Sequence, residues 1–180
     1  LKETTAPQGY EVTTDTQFTL NKDGTVDTSS VQNPTTYVNG VLMVEDDMTV
    51  VSISKVDATG KQEVAGAKIE IVDSKGNTAQ MWDESQKKFV DAKWTSDTKP
   101  QTITGLTGGE TYTLKETTAP QGYAVTTDTQ FTLKKDGTVD TSSVQNPTTY
   151  VNGVLMVEDD MTVVKISKVD ATGKQEVAGA

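Results

Sequence analysis

Three short segments of this 180-residue chain alternate apolar and polar residues, then place a charge where the next inward side chain belongs. In VSISK the inward set Val51 and Ile53 continues to Lys55. In YTLKE, Tyr112 and Leu114 continue to Glu116. In GVLMVED, Leu155 and Val157 continue to Asp159, while Met156 and Glu158 point the other way. An isolated buried ion costs several kcal/mol or loses its charge, so three such events call for a common cause. The plain explanation is that each strand ends in water and its charge is solvated there. A buried Lys–carboxylate salt bridge is a second explanation, and weak evidence of stability. The third is that Lys55, Glu116 and Asp159 meet and react. Apolar surroundings disfavour charge, leaving a neutral amine and a protonated carboxyl. The amine of Lys55 then attacks Cγ of Asp159, Glu116 shuttles protons and polarises the acyl oxygen, and one water leaves. The product is an isopeptide cross-link, with orientation replacing an activated ester; effective molarities of roughly 10⁵ to 10⁸ M are available that way.

Composition removes most other chemistry. There is no His and no Cys, which excludes Ser-His triads, cysteine nucleophiles, zinc fingers and disulfides. All 16 cations are Lys and they face 26 carboxylates, for a net charge of −10. Such a surface repels nucleic acid and anionic membranes. No apolar run is long enough to span a bilayer, and neither end reads as a signal peptide. The chain is expected to be soluble. Neither a cofactor nor a metal is expected: Glu158, Asp159 and Asp160 lack EF-hand spacing and read as solvated loop charges.

The elements that must position the trio follow from an internal repeat. Residues 1–67 return as 114–180, an offset of 113 residues, with Glu11 replaced by Ala124, Asn21 by Lys134 and Ser52 by Lys165. That period suits a whole sandwich domain. Pro120, Gly122 and Pro147 mark loops, whereas MTVVSISKV (48–56) runs without Gly or Pro. The junction is therefore expected there. A complete domain spans 50–162, the C-terminal part of a preceding repeat spans 1–49, and the first strand of a following one spans 163–180. The chain reads as a window on a longer tandem array.

Thr (32) and Val (22) favour pleated strands, and the fold class expected is all-β. Segments 50–56, 67–73, 88–96, 111–116, 129–135 and 150–159 read as strands, with turns at SKGN, TGG and KDG. Six or seven strands fit an Ig-like sandwich. DESQKK (83–88) has the composition for one helical turn. Trp82 and Trp94 read as packing residues rather than a carbohydrate platform.

ISKVDATGKQEVAGA, YTLKETTAPQGY and FTLKKDGTV resemble the B-type repeat of collagen adhesins and Gram-positive pilins, the Cna-B or SpaA-like Ig fold. The family's loop has the form Y-x-L-x-E-x-x-A-P-x-G-Y, and residues 112–123 match every fixed position. The resemblance implies tandem Cna-B-type sandwiches in which the loop Glu promotes an amide bond between a first-strand Lys and a last-strand Asn or Asp. Carried over, these are Glu116, Lys55 and Asp159. Many members use Asn as acceptor, so Asn152, Glu158 and Asp160 compete; strand parity favours Asp159, and Asn152, followed by Gly153, reads as a turn or bulge. The flanking parts carry Glu3 and Asp46, and Lys168, as unpaired equivalents.

A bond between Lys55 and Asp159 closes a loop spanning most of the domain and stabilises by about 4 to 5 kcal/mol in the chain-entropy model. Without it, an unfolding domain releases on the order of 370 Å of extended chain. The function this implies is a structural stalk or fibre on the bacterial cell surface, outside the cell. Its partners are neighbouring identical repeats, and there is no turnover beyond a single self-cross-linking. The runner-up is a ligand-binding adhesin gripping a host molecule through many weak copies.

Overall fold

Val, Ile and Thr crowd the segments that become strands, since a branched Cβ has few rotamers and sits well on a pleated surface. The computed structural model describes residues 1–32, 35–145 and 148–179; Pro147, read as a loop marker, lies outside them. In chain order the strands are β1 Thr19–Leu20, β2 Val26–Asp27, β3 Thr35–Val38, β4 Val41–Val44, β5 Val50–Asp57, β6 Lys68–Val72, β7 Gln80–Asp83, β8 Lys88–Asp91, β9 Lys93–Thr95, β10 Gln101–Thr104, β11 Thr111–Thr118, β12 Thr129–Leu133, β13 Val139–Asp140, β14 Thr148–Val151 and β15 Val154–Asp159. The fold is all-β.

From β5 onward the strands form a sandwich. One sheet has the order β10-β5-β15-β14 and the other β13-β12-β11-β6-β9, while β7 and β8 make a separate hairpin. Val51, Ile53, Leu155 and Val157 from the first sheet join Ile69, Ile71, Leu114 and Phe131 from the second in one buried cluster. Thr129 and Thr148 add a buried hydroxyl–hydroxyl hydrogen bond of 2.7 Å between the sheets. Tyr112 packs 5.7 Å from Phe131, and its hydroxyl both accepts from the Thr107 N–H and donates to the Thr107 carbonyl. The first and last strands, β5 and β15, are parallel neighbours.

Several sequence expectations need correction. The unit has more strands than the six or seven read from alternation: β7, β10 and β13 are too short or too polar to show a period. Segment 88–96 is two strands, because buried Ala92 donates to Ala79 and accepts from Ile71, switching the chain from the β7 partner to the β6 partner. Segment 150–159 is a hairpin, with Asn152 (φ 50) and Gly153 (φ 85) supplying the two left-handed residues of its turn. DESQKK holds no helical turn; it closes the β7–β8 hairpin, with Lys87 at φ 52. Asp83 there accepts from the N–H two residues on, as do Asp73, Asp136 and Asp140 at their own turns. Asp23, Asp27 and Asp170 are used the same way.

Identical sequence has different surroundings in its two copies. Phe131 is 0% exposed, whereas its twin Phe18 is 37% exposed; Ile53 is 1% exposed and its twin Ile166 is 90% exposed. Propensity is the same in each pair, so the facing sheet decides burial.

Candidate functional site

Lys55 is the Cα partner of Val157 across the parallel β5–β15 pair. Asp159, two residues beyond Val157, shares its face of the sheet and so stands diagonally beside Lys55. Glu116 comes from β11 in the opposite sheet, and the pairing of β11 with β6 shifts register between Glu116 and Thr118. Such an irregularity re-aims a side chain. All three are buried, their side chains no more than 1% exposed.

Lys55 Nζ lies 2.5 Å from Asp159 Oδ1 and 3.6 Å from Glu116 Oε1. The other Glu116 oxygen, Oε2, accepts the Thr126 N–H at 2.7 Å, and the Thr126 hydroxyl donates to the Glu158 carbonyl at 3.0 Å. The loop after the Y-x-L-x-E segment thus holds Glu116 and fastens itself to β15. Among the described residues, Glu116 Oε1 and Asp159 Oδ2 have no hydrogen-bond partner. Burial pushes the Glu116 carboxyl above its ordinary value, opposed by the Thr126 N–H and the Lys55 charge. A carboxyl so placed holds a proton more readily than one in water.

The competing acceptors stand elsewhere. Asn152 is exposed in the β14–β15 turn, and Asp160 is exposed just past β15. Glu158 faces the other side of β15 from Asp159 and is only half-buried. In the first copy, Glu3 accepts the Thr13 N–H at 2.8 Å, as its twin does from Thr126. Burial and the neighbouring Glu3 push the Asp46 carboxyl up. Lys168 is exposed, although its carbonyl accepts from Val177 at 2.7 Å just as Lys55 accepts from Val64.

Sequence reasoning missed Thr126. Its bond to Glu116 is carried by a backbone N–H, which any residue but Pro supplies, so no side-chain signal marks that contact. Trp82 is half-buried, edge-on to Phe89 at 5.3 Å and donating to Glu84, and Trp94 packs on the core.

A two-sheet sandwich whose first and last strands are parallel neighbours, with a buried amine between two carboxyls, defines a class of β-sandwich repeat. The family model described as the SpaA prealbumin-like fold domain matches residues 49–148, and the chain belongs to that family. The match includes Lys55 and Glu116 and stops before Asp159. Among solved structures, the chain is similar to the C-terminal fragment of the pilus adhesin SpaC from Lactobacillus rhamnosus GG, at 20% identity and TM-score 0.50, covering 92% of this chain and 76% of that one. A mutant of the shaft pilin spaA from the same organism matches at 19% identity and TM-score 0.50, covering 91% and 68%. These similarities concern the fold. Against SpaC in its open conformation, at 20% identity and TM-score 0.48, the match covers 92% of this chain but only 25% of the adhesin. A search of curated proteins finds no match.

Proposed function

We propose that residues 50–162 are one complete unit of a tandem surface stalk or pilus-like fibre, stiffened by an amide bond between Lys55 and Asp159 that Glu116 promotes. The observation that carries this reading is the 2.5 Å approach of the Lys55 nitrogen to the Asp159 carboxyl in a fully buried site, with Glu116 aimed at the same nitrogen. The step balances: ammonium and carboxylate together become an amide and one water. Lys55 first passes one proton to the Asp159 carboxylate; Glu116 then gives its own proton to the departing Asp159 hydroxyl, which leaves as water, and takes the second proton from the Lys55 nitrogen. It ends as it began. Two buried carboxyl oxygens without partners suit reacting groups better than a structural ion pair, because an unsatisfied buried acceptor costs about 1 to 3 kcal/mol.

The mechanical consequence follows from topology. Tension reaches the unit at β5 and leaves at β15, so a covalent bond between these strands carries the load past the chain between Lys55 and Asp159, a sequence separation of 104. Intact-mass spectrometry tests the reading: the chain is short by one water, and Glu116→Ala has the full mass. An unchanged wild-type mass would falsify it.

A further inference from the structure

In this structure the first copy's Gly9 loop is seated on the complete unit. Thr49 is buried at the contact: its N–H donates to the Gly9 carbonyl at 3.1 Å, its carbonyl accepts the Gly105 N–H at 3.0 Å, and its hydroxyl donates to the Leu106 carbonyl. Val12 donates its N–H to the Lys135 carbonyl at 2.8 Å. The approach is close enough that a Cβ on Gly9 would fall 2.9 Å from the Gly105 oxygen and 2.9 Å from the Phe89 ring, while a Cβ on Gly137 would fall 2.9 Å from a Glu11 carboxyl oxygen.

The second copy of this surface is exposed among the described residues. Thr162 keeps the local bond to the Gly122 carbonyl at 2.9 Å, yet it is exposed. Val125 is 57% exposed and Met161 is 66% exposed, and a Cβ on Gly122 would meet nothing within 4 Å. Local structure is thus the same at both ends of the unit; what differs is the docked neighbour and Ala124 in the place of Glu11.

We propose that Gly122, Ala124, Val125 and Thr162 form a repeat-to-repeat joint that docks a following copy of this same unit, as their twins Gly9, Glu11, Val12 and Thr49 are docked on residues 50–162. This deepens the reading of the chain as a tandem array. The occupant is a second copy because the first surface already holds one, through backbone hydrogen bonds and a glycine contact with no room for other side chains. Ala124, Val125 and Asp160 also line a pocket that opens above Asp159, so the docked copy narrows the route of water to the Lys55 site. The joint fixes the angle between units without a spacer.

The twin positions provide matched controls within this chain. Gly9 (φ +84) and Gly122 (φ +89) have the same backbone strain, so Gly9→Val and Gly122→Val differ only in what the new side chain strikes. Amide hydrogen exchange at Gly105 and Val12 is expected to be about ten-fold faster, or more, in Gly9→Val and unchanged in Gly122→Val. Thr49→Val and Thr162→Val repeat the comparison without steric clash, and Gly105 exchange is expected to rise only in the first. Equal exchange within both pairs would overturn the joint while leaving the cross-link, which is read by mass, untouched.

Discussion

Lys55 and Asp159 are 104 residues apart in sequence and 2.5 Å apart in space, and the parallel pairing of β5 with β15 is what closes that separation. Parallel neighbours at the two ends of a domain are uncommon for a sandwich of antiparallel hairpins, since they cannot be joined by a short turn. Here the pairing places the first and last strands of the sandwich side by side, with Glu116 reaching across from the other sheet.

The acceptor's identity sets the leaving group. Asp159→Asn is expected to preserve the cross-link with loss of ammonia instead of water, read as the corresponding mass deficit. Asp159→Ala leaves the Lys55 ammonium buried beside Glu116 alone and is expected to cost about 3 to 5 kcal/mol. A mass deficit in Asp159→Ala would move the acceptor to Asp160, Glu158 or Asn152.

Cross-linking restricts the unfolded chain. Glu116→Gln, which keeps the shape but cannot take up a proton, is expected to leave the bond unformed. Calorimetry should then show the complete unit melting on the order of 20 °C lower, from about 4 to 5 kcal/mol of lost loop-closure constraint. Equal melting points for wild type and Glu116→Gln would contradict this.

Burial holds the Glu116 carboxyl above its ordinary 4.5. A raised folded-state value means the folded unit keeps a proton that the unfolded chain has already released. The stability this group contributes is therefore complete below 4.5 and is lost as pH rises through the folded value. Lys55→Met forms no cross-link and removes the charge that opposes the rise. Its stability in urea is expected to fall as pH rises above 4.5, and the added substitution Glu116→Gln should flatten that slope. A slope that persists in the double variant would assign the effect to another group.

Twin aromatic residues test which copy is a folded unit. Phe131→Ala is expected to cost about 3 to 5 kcal/mol, because its ring is wholly enclosed. Phe18→Ala, with the same sequence neighbours and a partly open ring, should cost less than about 1 kcal/mol. Equal losses would mean the two copies share one cooperative transition.

The convergence of the three charges was legible in the sequence because strict alternation exposes an error of sign: a Lys, a Glu and an Asp each fell on an apolar face, and the structure brings those three together. The sandwich was legible from β-branched content and the 113-residue offset. What escaped notice depends on contacts rather than composition. Ala92 switches sheets through its backbone, β7 and β10 lie in segments without a clear period, and the 83–88 turn carries helix-compatible residues whose Lys87 adopts a left-handed conformation. The joint at Thr49 was equally silent, since a threonine inside an apolar run looks like any other strand residue.

Proteolysis followed by fragmentation mass spectrometry examines the Lys55–Asp159 bond directly. Trypsin cannot cut after an acylated lysine, so the expected product is one branched peptide containing Lys55 joined through its side chain to the segment carrying Asp159. Recovery of a linear peptide ending at Lys55, together with an unmodified peptide spanning Asp159, would contradict the account.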